Sequence, residues 1–173
     1  DKIDINESQY FEMIKLKTAV LIGAALKMGV LAVGADEDVC QSFYEFGLNL
    51  GILFQLQDDY LDVFGEENIF GKVSGGDIKE NKRTLFFIHS IENGSKEDVE
   101  SLLNLYSIQP KDFDKKKREV IKIFKKNKSD VYLRHIIENY NQRILNSINN
   151  LPIEIQKQKQ FLDLFKTILN RKL

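Results

Sequence analysis

The sharpest chemical feature of this 173-residue chain is a group of three carboxylates in the run Phe54-Gln55-Leu56-Gln57-Asp58-Asp59-Tyr60-Leu61-Asp62. On a helix Asp58 and Asp62 share one face about one turn apart, with Asp59 adjacent and Gln55 a turn earlier on the same side. Carboxylates so placed repel one another unless a counter-ion is present. Hard oxygen ligands on a rigid helix suit Mg2+, which takes one or two carboxylates and completes its octahedron with water and phosphate oxygens of a substrate. The plainer account is a solvated acidic helix end. Charge distribution sharpens the choice: between Met28 and Gly71 there is no Lys, Arg or His, while Asp36, Glu37, Asp38, Glu45, Asp58, Asp59, Asp62, Glu66 and Glu67 all fall there. Buried carboxylates without compensation would protonate, so this window calls for a metal, a basic neighbour or exposure.

Directly downstream lies Phe70-Gly71-Lys72-Val73-Ser74-Gly75-Gly76-Asp77-Ile78-Lys79-Glu80-Asn81-Lys82-Arg83. Glycines followed by spaced lysines are what a diphosphate bridged by Mg2+ would need: the glycines permit closure over phosphates, and Lys72 and Lys82 would act as point charges on phosphate oxygens. Asp77 reads equally well as an ordinary helix N-cap or as a metal ligand, and a bridging water would allow both.

The elements that must position these groups read as helices throughout. Only Pro110 and Pro152 interrupt the chain, and apolar residues recur at spacings of three and four. A first helix is expected over 9–31 with Ser8 as its N-cap, and a second from just after Asp36 to 64, apolar nearly all round and therefore central and buried. Gly65 ends it, and the glycines of 66–76 predict a mobile loop. A third helix is expected over 77–92, with Asp77 and Glu80 as a capping box. Helices over 96–106 (capped by Ser95), 110–126, 130–148 and 154–169 complete an all-α chain with no internal repeat and no linker.

Composition excludes several function classes. With 25 basic and 26 acidic residues the net charge is −1, which argues against nucleic-acid binding by bulk electrostatics. No apolar run approaches the ~20 residues of a membrane span. The single cysteine, Cys40, forms no internal disulfide and no metal motif; it reads as a small buried side chain in a reduced, cytosolic compartment. Position 1 is Asp and nothing resembles a signal peptide, so the chain is expected to start partway through a longer protein. His89 and His135 sit among apolar neighbours and read as structural. The segment 111–128 carries nine Lys or Arg against three acids, which would suit a membrane surface or RNA, but the apolar stripe of Val120, Ile121, Ile123 and Phe124 favours a solvated face on a packed helix.

Together the stretch from Phe54 to Gly65, the run Gly71-Lys72 to Gly75-Gly76-Asp77-Ile78, and Glu80-Asn81-Lys82 resemble the second aspartate-rich motif and lysine loop of the trans-isoprenyl diphosphate synthases, or polyprenyl synthetases. Met13-Ile14 with Lys17-Thr18-Ala19 resembles the family's Lys-Thr pair, and the ending Ile168-Leu169-Asn170-Arg171-Lys172 is similar to its C-terminus. The earlier aspartate-rich motif, its arginine pair and the upstream basic residues that hold isopentenyl diphosphate are missing. The chain is thus expected to be the C-terminal part of one all-helical prenyltransferase domain of the isoprenoid synthase type. A natural half-synthase is the other reading, disfavoured because the second half alone would expose faces on which the missing helices pack.

The resemblance implies head-to-tail condensation of isopentenyl diphosphate with an allylic diphosphate, Mg2+ as cofactor and a homodimer. It implies Asp58 as the main metal ligand, with Asp59 and Asp62 as direct or water-mediated partners. Lys17, Lys72 and Lys82 would neutralise phosphates, and the dipoles of Thr18 and Gln55 would stabilise an allylic cation. Two rivals stand beside this: a non-catalytic helical subunit that pairs with a separate catalytic synthase, and a class-I terpene cyclase, which the lysine loop fits less well.

Overall fold

Residues 5–65, 75–108 and 112–169 are described by a computed structural model of the protein, with side chains through Lys166. In chain order they form α1 (Glu7–Ile14), a π-helical turn (Lys15–Ala19), α2 (Val20–Leu31), α3 (Glu37–Phe64), α4 (Gly76–Lys79), α5 (Leu85–Asn93), α6 (Lys96–Ser107), α7 (Phe113–Lys126), α8 (Ser129–Asn149) and α9 (Ile155–Leu169). No strand occurs among the described residues, so the all-α expectation holds.

Local chemistry explains most boundaries. The first helix starts earlier than Ser8 predicts, because Asn6 and Gln9 form a reciprocal cap: the Asn6 side chain accepts from the Gln9 amide and the Gln9 side chain accepts from the Asn6 amide, each at 2.9 Å. Ser8 therefore lies inside α1 rather than capping it. Ser95 does cap α6, accepting from the Asp98 amide at 3.2 Å, and Asp112 caps α7 through the Lys115 amide at 2.9 Å, so that helix begins at Phe113; the start expected at 110 lies outside the described residues. The single helix expected over 77–92 is two. Asn81 adopts a left-handed φ of 55°, which no α-helix continues through, and α5 begins afresh at Leu85. The Asp77–Glu80 capping box is absent too: the N-cap of α4 is Gly75, whose φ of 94° favours glycine, and Asp77 belongs to the helix's first turn. Of the expected mobile loop, 66–74 lies outside the described residues.

The chain gathers into two compact units, one of Asp1–Tyr10 with Asp58–His135, the other of Phe11–Gln57 with Ile136–Lys172. Helices α1, α3 and α8 contribute residues to both. In the first unit Tyr60, Phe64, Phe86 and Phe124 pack ring against ring, with centroids 5.3–5.8 Å apart. The second unit packs Phe43 and Phe46 of α3 against Phe161 and Phe165 of α9. Cys40 is buried and free, as its type suggested. Leu16, Leu21, Met28, Leu31 and Val33, by contrast, are each more than half exposed.

Small residues set how closely α2 and α3 approach in the second unit. A Cβ on Gly51 would stand 2.5 Å from the Ala19 Cα, and one on Gly47 would stand 2.6 Å from the Gly23 Cα. The helix backbones therefore touch at Ala19, Gly23, Gly47 and Gly51, next to Thr18 on one side and one turn before Gln55 on the other.

Candidate functional site

At the end of α3 three neighbouring aspartates meet three different environments. Successive helix positions are rotated by about 100°, so Asp59 turns inward while Asp58 stays in solvent. Asp59 is 6% exposed and accepts a 2.6 Å hydrogen bond from the hydroxyl of Tyr10, itself fully buried. Burial, then the Asp59 charge, raises the Tyr10 pKa well above the usual phenol range, so the hydroxyl keeps its proton and donates. Asp62 is the anchor of α4. Its Oδ2 accepts the Asp77 amide at 2.9 Å, the Gly76 amide also bonds to it, and its own carbonyl accepts the Gly75 amide at 2.6 Å. A side chain at position 76 would crowd this contact, since a Cβ there would sit 3.1 Å from Asp62 Oδ1. Burial pushes the Asp62 pKa up, and the two amides pull against it. Asp58 is exposed and has no hydrogen-bond or ion-pair partner among the described residues.

The turn after α4 holds the cations. Lys82 reaches Asp77 at 2.8 Å and Glu80 at 3.0 Å, and these bonds raise its pKa, so it stays protonated with its charge already matched. Its amide also closes the turn on the Asp77 carbonyl at 2.9 Å. Asp77 thus acts neither as a side-chain cap nor as a free carboxylate; it is the partner of Lys82. Lys72 lies outside the described residues.

The second unit carries the remaining candidates. The π-helical turn Lys15–Ala19 widens the helix where Lys17 and Thr18 stand, an arrangement frequent at functional sites. Thr18 donates through Oγ1 to Gln55 Oε1 at 2.9 Å, a contact that the close packing of Ala19 on Gly51 makes possible. Lys17 is exposed and unpaired among the described residues.

The structure therefore brings Thr18 to Gln55, and Asp62 and Asp77 to one short helix, while Asp58, Asp59 and Asp62 do not converge. No group of three His, Cys, Asp or Glu side chains is placed to hold a metal among the described residues. The donor set still fits Mg2+ in one way: Asp58 is a single open carboxylate, and Mg2+ accepts one protein carboxylate with water and phosphate oxygens in its other positions. Tyr10, Asn81 and Lys116 escaped the sequence reading. Tyr10 is an aromatic on an amphipathic helix, with no pattern linking it to Asp59, 49 residues away.

His89 is engaged away from these carboxylates. The His89 Nδ1 lies 3.0 Å from Ser129 Oγ, its ring stacks on Tyr132 at 4.2 Å, and burial lowers its pKa below 6.5. His135 is exposed. The apolar side of α7 is buried through Val120, Ile123 and Phe124 while Lys115, Arg118, Lys122 and Lys125 face solvent, as the charge run suggested.

Residues 1–124 match the polyprenyl synthetase family. Among curated proteins, a geranylgeranyl diphosphate synthase of Methanosarcina mazei is 44% identical over 95 residues, covering 55% of this chain and 29% of that protein. One of Sulfolobus acidocaldarius is 35% identical over 152 residues, covering 87% and 45%. Among solved structures, that of a geranylgeranyl pyrophosphate synthase superposes with a TM-score of 0.90 at 38% identity, covering 99% of this chain and 54% of that one. The synthetase from Pyrococcus horikoshii gives 0.83 at 31%, covering 99% and 51%. The chain spans about half or less of the length of the relatives it matches.

Proposed function

The chain belongs to the polyprenyl synthetase family, and on that premise we propose that it supplies one part of a trans-prenyltransferase site. The reaction is Mg2+-dependent head-to-tail condensation of isopentenyl diphosphate with an allylic diphosphate, giving a longer prenyl diphosphate. One observation carries this reading: among the described residues Asp58 is the motif's one aspartate that is exposed and without a partner, while Asp59 bonds to Tyr10 and Asp62 to the amides of α4. A carboxylate left open at the end of a helix whose neighbours are held rigid is preorganised for a metal–diphosphate partner.

Each residue's task follows from its chemistry. Asp58 would hold Mg2+, which when bound supplies positive charge to the departing diphosphate. Lys17, exposed and without a partner among the described residues, would take phosphate oxygens as a point charge. The Thr18–Gln55 pair, held by its own hydrogen bond, would offer fixed oxygen dipoles to a developing allylic cation. Lys82 would meet phosphate only by sharing or exchanging its bonds to Asp77 and Glu80, and Asp59 and Asp62 would act on the metal through Asp58 and bridging water. Lys72 completes the phosphate contacts by resemblance. A homodimer and a cytoplasmic setting belong to the same proposal, and the exposed apolar residues of α2 support a further polypeptide surface packed there.

The test is Asp58→Ala in the full-length protein, assayed for Mg2+-dependent incorporation of isopentenyl diphosphate into an allylic primer. Turnover should fall by about 10²–10³-fold, the range for removal of a key electrostatic group, with helicity and oligomeric state intact. Near-normal turnover in that variant overturns the assignment. Absence of turnover in the wild type, with activity restored by a separate synthase subunit, would favour the non-catalytic subunit.

A further inference from the structure

Lys116, in the first half of α7, is 2% exposed, and no carboxylate pairs with it among the described residues. Its ammonium donates to the Asn81 side-chain oxygen and to the Ile108 carbonyl at 3.3 Å, and lies 5.5 Å from the centre of the Tyr106 ring. All three partners are neutral. An ammonium taken from water onto neutral partners carries a desolvation cost that a methionine of similar length, filling the same slot, would avoid. Burial accordingly lowers the Lys116 pKa from its ordinary 10.5.

What this lysine holds is Asn81, the residue with a left-handed φ between α4 and α5. Asn81 has φ 55°, a left-handed conformation that asparagine adopts more readily than most non-glycine residues but still at some cost in free energy, so a bond that fixes its side chain helps to hold the turn. With Asn81 so set, its amide bonds to the Ile78 carbonyl at 3.2 Å and the next amide, of Lys82, returns to the Asp77 carbonyl at 2.9 Å. That return places the Lys82 ammonium on Asp77 at 2.8 Å. A different φ at residue 81 would swing Lys82 away from Asp77.

We propose that Lys116 is a positioning residue: by fixing the Asn81 turn it presents Lys82 and Asp77 to the diphosphate and its metal, an inference that rests on the prenyltransferase reading. Lys116 reaches no substrate. It acts through Asn81, so the two side chains should behave as one unit.

The experiment uses the full-length protein with Lys116→Met, Asn81→Gly and the double variant. Glycine keeps the positive φ accessible while removing the side-chain oxygen. Binding of inorganic pyrophosphate in the presence of Mg2+ is measured by calorimetry well below each variant's Tm, beside incorporation of isopentenyl diphosphate. Each single variant should weaken pyrophosphate binding by about tenfold, and the double variant should be no worse than the weaker single one, the signature of coupled residues. Lys116→Met binding pyrophosphate as the wild type does, whatever its Tm, overturns the proposal, because a lysine that only fills space would move stability and not affinity. Independent, multiplying losses in the double variant overturn it as well. If the wild type neither binds pyrophosphate with Mg2+ nor incorporates isopentenyl diphosphate, the reaction reading fails and takes this inference with it; if it does both and Lys116→Met matches it, only the inference fails.

Discussion

Tyr10→Phe isolates a single buried hydrogen bond. The substitution leaves the ring in place and removes only the hydroxyl that donates to Asp59 at 2.6 Å. Both groups are out of water, Tyr10 fully and Asp59 at 6% exposure, so solvent cannot replace the lost donor. A hydrogen bond to a charged group contributes roughly 1.5–3 kcal/mol net; removing the phenol also relieves the cost of burying a hydroxyl, which favours the lower half of that range, about 2 kcal/mol. With an m-value of about 2 kcal/mol/M in urea for a chain of this size, the unfolding midpoint should fall by about 1 M with m unchanged. Urea titrations followed by circular dichroism at neutral pH read this directly. A midpoint within about 0.2 M of wild type would refute the claim that Asp59 is a structural carboxylate held by Tyr10. Unchanged stability with collapsed turnover would go further and give Asp59 a direct role at the metal in place of a structural one.

Glycine contacts and one histidine give further tests. Gly51→Ala should destabilise by about 1–3 kcal/mol and lower turnover, because its Cβ would lie 2.5 Å from the Ala19 Cα and force apart the helices that join Thr18 to Gln55. Gly29→Ala is the matched control: nothing lies within 4 Å of a Cβ there, and the exposed helix should gain roughly 0.5–1 kcal/mol. Thermal melts of both variants decide whether close packing or helix propensity governs each site. His89 is held neutral by burial, which outweighs the charges of Glu92 and Glu7. Its folded pKa is therefore below its unfolded one, the unfolded chain binds more protons between the two, and stability is lost as pH falls below about 6.5. His89→Gln should show a smaller loss of Tm than wild type between about pH 7.5 and 5.5; parallel losses would mean that His89 does not titrate with folding.

Much of this protein is written locally in its residues. The span of α3 was legible because Asp36 precedes its first turn and Gly65 follows its last, and because its apolar positions follow the helical period. The family was legible because its second aspartate-rich motif and lysine loop occupy one contiguous stretch. Spacing also placed Asp58, Asp59 and Asp62 on adjacent faces of one helix. Their division of labour was not legible: whether a carboxylate stays open depends on what the rest of the chain brings to it, and Tyr10 reaches Asp59 from 49 residues away while Gly76 and Asp77 reach Asp62 from a separate helix. The break at Asn81 has the same origin. Nothing in Glu80-Asn81-Lys82 forbids a continuing helix; a lysine from α7, 35 residues on, helps to hold the left-handed turn. Helical periodicity is a property of neighbours in sequence, whereas the charge state and orientation of a side chain are set by neighbours in space. The sequence alone therefore settled the all-α class, the span of α3 and the family, and the tertiary structure decided where the helix after Gly75 breaks, which carboxylate is open and how Lys82 is aimed.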